Sequence, residues 1–317
     1  MSARKVLAPL KRLLGPLRAL LAKPKVKNSL IVLILLLTVA AFVQFFIQHP
    51  DYIHQLGRTN PWWIVAVVAL NIPMVILLVF IYDACLGLCG KRLAWKENFL
   101  LTAYSSIVNF FGPLQSGPGV RAAYLKTRHQ VRLRDYTLAT LIYYGLFAFF
   151  SALFLLVGTR PWWQTALALL IVAGVSYFFI KTFIRRDNKP ADSQFHLHGD
   201  ILARLVILSF LQVLLTAVTY FVELRAVNPH IGWSQAVSYS GAANFALFVS
   251  LTPDAIGFRE AFLLFSQHLH HVSTANILSA NIIDRGSYVI FLVLLFLVVL
   301  GTHARDRLRL GGLTKRA

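Results

Sequence analysis

Six stretches of this chain, 29–47, 62–82, 137–158, 161–180, 202–222 and 286–300, are apolar almost without interruption. Each approaches the roughly 20 residues that cross a hydrocarbon core, so the bilayer is the solvent in which the chain must fold. Of 317 residues, 57% are hydrophobic and 14% charged, and the longest polar connection, 181–200, is too short to bury a core of its own. The fold class expected is an all-α integral membrane protein.

A net charge of +19 would suggest nucleic acid in a soluble protein. Here the basic residues sit at the ends of apolar segments, where anionic lipid headgroups are the nearest partners, and no nucleic-acid partner is expected. Residues 4–27 hold eight basic side chains and no acidic one. Leu10, Leu14, Leu17 and Leu21 share one helical face, so 1–27 reads as a topology signal or an interfacial helix. Residues 28–300 form the membrane domain and 301–317 a second basic tail. Cys85 and Cys89 read as small apolar packing residues near the cytoplasmic end of a helix.

Charge also selects the threading. If every apolar segment crosses, eight spans place 18 basic residues on one side and 10 on the other. If 98–125 and 234–271 instead return to the side they enter, six spans leave only Arg58, Arg160 and Arg225 outside and 25 inside. The second threading satisfies the positive-inside rule far better and places both termini in the cytoplasm, the membrane being the cell (inner) membrane. Each of the two segments has an apolar limb, a Gly/Pro break and a second limb too short to cross alone. The breaks fall at Gly112-Pro113, followed by Gly117, Pro118 and Gly119, and at Thr252-Pro253, followed by Gly257. Freed backbone amides at membrane depth find partners only in protein or water, so each break predicts a cavity.

The two breaks resemble each other. Asn109-Phe110, Pro113, Gly119-Val120-Arg121 and Leu125 match Asn244-Phe245, Pro253, Gly257-Phe258-Arg259 and Leu263 in order, with three extra residues in the second loop. Small residues precede each, Ser105-Ser106 in one and Gly241-Ala242-Ala243 in the other. Because the first hairpin opens from the cytoplasm and the second from outside, they form an inverted-topology repeat, an arrangement that places substrate near the midplane.

Three arginines escape the loop tally, Arg121, Arg259 and Arg285, with Asp254, Glu260 and Asp284 as nearby acids. An arginine costs at least ~2.5–3.5 kcal/mol at a helix centre, so each needs a partner. In one reading the six charges are internal ion pairs tying the hairpins to the last span. In the other, Arg121 and Arg259 grip a lipid phosphate bidentately, helped by the limb amides near Gly119 and Gly257 and by Asn109 and Asn244. Glu260 follows Arg259 directly and points to a different helix face, which makes Arg285 or Arg121 its expected partner. A carboxylate beside Arg285 could also carry a proton for coupled transport.

The remaining signals are weaker. His196, His198, His268, His270 and His271 lack further ligands at metal-site spacing, so no metal or cofactor is expected. Trp62-Trp63 and Trp162-Trp163, each after a proline, read as interfacial belt residues. No nucleophile-and-base pattern appears.

The segments Asn109-Phe110-Phe111-Gly112-Pro113, Gly117-Pro118-Gly119-Val120-Arg121 and 252–261, followed by Arg285, resemble the signature segments of the lysylphosphatidylglycerol synthase transmembrane-region, or flippase-like, family. The resemblance covers about residues 28–300. It implies a multi-span fold with two re-entrant elements and a role in moving or presenting polar lipids. No aminoacyl-transfer domain follows Arg316, so lysyl-lipid synthesis is not expected. The leading expectation is a flippase for an anionic phospholipid or polyprenyl-phosphate-linked lipid. A lipid-phosphate-modifying enzyme with Asp254 or Glu260 as base, and a lipid-binding scaffold that transports nothing, stand as alternatives, and a homo-oligomer is left open.

Overall fold

The computed structural model describes residues 59–111, 116–156, 195–249 and 258–313, with isolated positions 43, 44, 47, 163, 167, 170, 171 and 174. The chain divides into Met1–Pro50 and Asp51–Ala317. Of the first unit Val43, Gln44 and Ile47 are described, all helical and exposed. The second carries everything that follows.

Among the described residues every regular element is a helix: α1 (Pro61–Leu88), α2 (Trp95–Phe111), α3 (Gly117–His129), α4 (Leu133–Leu156), α5 (Gly199–Val227), α6 (Trp233–Val249), α7 (Phe258–Phe265), α8 (Gln267–His270) and α9 (Thr274–Leu313). Four are long and apolar enough to cross a membrane: α1, α4, α5 and the Thr274–Thr302 part of α9. At ~1.5 Å per residue their 24 to 29 residues run about 36–44 Å, more than the ~30 Å hydrocarbon layer. The expected spans 29–47 and 161–180 lie outside the described residues, save for isolated helical positions. Both Gly/Pro breaks, with Gly112, Pro113, Pro253, Asp254 and Gly257, lie outside them too.

Local chemistry sets the helix ends. The Asn60 side chain accepts the Trp62 amide at 3.0 Å and Pro61 opens α1 with its φ already helical. At the other end Gly90 turns left-handed, at φ 64°, and the Lys91 amide closes back on the Leu86 carbonyl at 3.1 Å. The second limb of each hairpin stops on a non-glycine residue in the same region, Gln130 at φ 53° and His271 at φ 54°.

Side-chain and backbone bonds fix which ends lie together. The His196 amide donates to the Leu88 carbonyl at 2.9 Å, and Arg204 pairs with Asp83 at 3.3 Å, so α5 begins where α1 ends. Asn98, in the first turn of α2, donates to the Val79 carbonyl of α1 at 3.0 Å. The α2–α3 hairpin therefore sits at the Leu88 end of the bundle. The second hairpin sits at the Val227 end, where α6 packs on α4 and α5.

Two glycines permit the closest approaches. A Cβ on Gly117 would stand 2.5 Å from the Ser105 carbonyl and 2.9 Å from Asn109 Cβ, so only glycine lets α3 fold back on α2. A Cβ on Gly241 would stand 2.2 Å from the Leu155 amide nitrogen, pinning α6 against α4. One apolar core joins α1, α3, α4 and α5 around Ile81, Leu125, Ile142 and Leu205. A second joins the end of α5 to α6, α7 and α9 around Leu224, Ala242, Leu263 and Ile277. On the outside of the spans Ile72, Leu141, Ile207, Leu294 and Leu297 are exposed, as side chains facing lipid should be.

Candidate functional site

The guanidinium of Arg121, in α3, is wholly buried. Its Nη1 donates to Thr102 Oγ1 at 3.0 Å and its Nη2 to Asn98 Oδ1, both on α2. Its Cζ stands 4.1 Å from the centre of the Tyr82 ring of α1, a cation–π contact. The acceptors are themselves fixed: Asn98 spends its amide on Val79, and the Thr102 hydroxyl proton goes to the Asn98 carbonyl at 2.8 Å, leaving a lone pair for the arginine. Arg121 Nε has no hydrogen-bond partner among the described residues. Every group described against this cation is neutral, and no described carboxylate pairs with it.

A polar clamp closes the rim. Glu97 accepts the Tyr124 hydroxyl at 2.7 Å and pairs with His129 Nε2 at 2.7 Å, joining the start of α2 to the end of α3. Burial works to raise the Glu97 carboxyl, but the hydrogen bonds from Tyr124 and His129 outweigh it and hold the group below the usual carboxylate range.

At the Val227 end the charges are paired. Arg259, at the start of α7, reaches Asp284 of α9 at 2.5 Å and donates from Nη1 to the Tyr220 hydroxyl of α5 at 3.2 Å. The next residue, Glu260, receives both Nε and Nη2 of Arg285 on one oxygen, at 3.2 and 2.7 Å. Two consecutive residues of α7 thus pair with two consecutive residues of α9, because neighbours on a helix diverge by about 100°. Behind them Glu223 of α5 is wholly buried, faces Asp284 and Arg259, and has no hydrogen-bond donor on either oxygen among the described residues.

A line of polar side chains joins the two ends. Ser209, Gln212, Thr216, Tyr220 and Glu223 recur every three or four residues and so share one face of α5. Tyr143 of α4 donates to Gln212 at 2.9 Å, and its ring lies 6.3 Å from that of Tyr82, which covers Arg121. Tyr220 accepts from Arg259 at the far end of the stripe. From Gln212 to Tyr220 the helix rises about 12 Å.

The structure therefore brings Arg259, Glu260, Asp284 and Arg285 into one network and holds Arg121 apart from it on neutral groups. Asn109 is packed against Gly117, its buried Oδ1 without a partner among the described residues. Gly119 lies exposed in the first turn of α3, with open space where a side chain would be. Asn244, also buried, donates to Ser240 at 3.5 Å. Asp254 and Gly257 lie outside the described residues. Among the described residues no three His, Cys, Asp or Glu side chains gather as a metal site. Sequence reasoning missed Asn98, Thr102, Tyr82, Tyr220 and Glu223. Glu223 falls one residue past the apolar run 202–222, whereas α5 continues to Val227; the polar periodicity along α5 was the available signal.

The family model of the lysylphosphatidylglycerol synthase TM region matches residues 29–295. No curated protein matches the chain. The match spans the four crossing helices up to Leu295, both hairpins and every charge described above, and the chain is a multi-pass membrane protein belonging to the lysylphosphatidylglycerol synthase transmembrane-region family.

Proposed function

We propose that this protein moves a phosphate-bearing lipid, an anionic phospholipid or a polyprenyl-phosphate-linked lipid, between the leaflets of the cytoplasmic membrane. The observation that carries the reading is Arg121. A wholly buried guanidinium whose partners among the described residues are all neutral has no counter-ion among them, and an unpaired buried charge costs on the order of 3–5 kcal/mol. A lipid phosphate supplies the missing anion through charge-assisted hydrogen bonds, and the unpartnered Nε is the free donor. Burial closes this arginine off, so a headgroup reaches it when the α2–α3 hairpin parts at Gly117.

Arg259 is the second station. It releases Asp284 to receive the phosphate, and the α5 stripe offers hydroxyls and an amide between the two stations. The placement of the hairpins at opposite ends of the bundle supports their reading as an inverted repeat of two re-entrant elements within six spans, with both termini cytoplasmic. Binding and release with no covalent step is sufficient for this geometry, so the protein is not read as an enzyme.

Reconstitution in liposomes with chain-labelled phosphatidylglycerol tests the reading. Wild type is expected to speed dithionite quenching of inner-leaflet label, and an Arg121→Ala/Arg259→Ala double variant to lose that acceleration. Equal rates in the two would overturn the proposal.

A further inference from the structure

Among the described residues two arginines and three carboxylates meet at the Val227 end, and the count does not close. Arg259 takes Asp284 and Arg285 takes Glu260, which leaves Glu223 as a third carboxyl with no ion pair of its own among the described residues. Glu223 is fully buried, and neither oxygen accepts a hydrogen bond among the described residues. Ionised, it would stand as an unsatisfied buried charge facing the like charge of Asp284, and a proton shared between the two carboxyls removes both penalties.

We propose that Glu223 and Asp284 form a proton-binding site, and that the proton bound there travels with the lipid anion. One proton on Glu223 supplies the missing hydrogen bond to Asp284 and leaves the cluster neutral, with two cations and two anions. Arrival of a phosphodiester at Arg259 displaces Asp284, which then has a carboxyl to its front and no arginine. Asp284 takes up a second proton, so one proton enters with each negative headgroup and leaves with it. The chemistry names the co-substrate, a proton moving in the same direction as the anionic lipid.

The surroundings suit this role. Tyr220 on the same helix and Tyr239 of α6 face the pair, their rings 5.3 Å apart, and His270 of α8 stands behind Tyr239, also at 5.3 Å. The Tyr239 hydroxyl is buried without a partner among the described residues, a donor placed beside the carboxyls. The Arg285–Glu260 pair completes the ring of charge. The other helices packed on α5, α1 and α4, bring Tyr82, Asp83 and Tyr143 toward its opposite end, away from Glu223.

This inference rests on the lipid-transport reading, and the test separates the two. Proteoliposomes of phosphatidylethanolamine and labelled phosphatidylglycerol, with entrapped pyranine, report lipid movement and internal pH together. Wild type should carry label several-fold faster down a proton gradient than without one and should acidify the lumen in step. Asp284→Asn, which removes the carboxyl that takes up the travelling proton, should lose both the acceleration and the acidification, and either one persisting in that variant would overturn the site. Lipid movement that is indifferent to the gradient in wild type would overturn the proton site while leaving transport intact; no lipid movement at all would overturn transport. Infrared difference spectra of the wild-type protein give a check that needs no variant to fold: a protonated carboxyl band must be present at neutral pH in hydrocarbon surroundings, and its absence would refute the site.

Discussion

Gly117 and Gly119 are two residues apart, yet the structure predicts opposite responses to the same substitution. A Cβ on Gly117 meets the Ser105 carbonyl at 2.5 Å, against the 3.4 Å at which ordinary contact begins. Helix α3 must then move off α2 by about 0.9 Å, and overpacking of this kind costs about 1–3 kcal/mol. Gly119 has nothing within 4 Å of the same point, so Gly119→Ala meets no obstacle and gains up to about 1 kcal/mol of helix propensity. Cys85 and Cys89 are free and buried, so a thiol-reactive fluorophore reports unfolding of the native protein in detergent without added probes. Gly117→Ala should lower the melting temperature by several degrees and Gly119→Ala should leave it level or raise it. Shifts of the same sign and size in both would mean that the hairpin does not close as described.

Removing one partner of the inner pair should be costly: Glu260→Gln or Arg285→Gln should each destabilise by about 3–5 kcal/mol, and the swap Glu260→Arg with Arg285→Glu should recover part of that loss in the same melting assay. Asn98→Ala and Thr102→Ala each leave an Arg121 nitrogen without its acceptor, and each should slow lipid movement. The Glu97 clamp has a pH signature. Because its folded-state carboxyl is held below the unfolded value, its contribution is present above about pH 4.5 and is lost as pH falls through the folded value, so Glu97→Gln should flatten the acid limb of the stability profile. Single cysteines near Arg128 and near His270 should label from opposite sides of the membrane, and same-side labelling would contradict the inverted arrangement.

The sequence was informative where chemistry is local. Glycine and proline in an apolar run mark the limbs, and Gly117 proves to be a position where the backbone admits no side chain. Helix geometry excluded Arg259 as the partner of Glu260 and left Arg285 or Arg121, and packing against α9 selects Arg285. What one dimension hides is which polar residue at a segment boundary turns inward. Asn98 and Thr102 open α2 and look like interfacial residues, yet α1 covers them and they cradle Arg121. Glu223 ends an apolar run in the sequence, while the longer α5 carries it into the protein beside Asp284. Nor could the sequence distinguish the arginines: Arg121 and Arg259 occupy matching places in the repeat, and among the described residues only packing gives Arg259 a carboxylate and Arg121 none.

That difference is the centre of the account, and a cryo-electron microscopy map of the protein in nanodiscs containing phosphatidylglycerol tests it most directly. Phosphate density within about 3 Å of Arg121 Nε is the result expected for a headgroup site. A protein carboxylate filling that position, with no lipid beside it, would show Arg121 to be a structural ion pair and contradict the account.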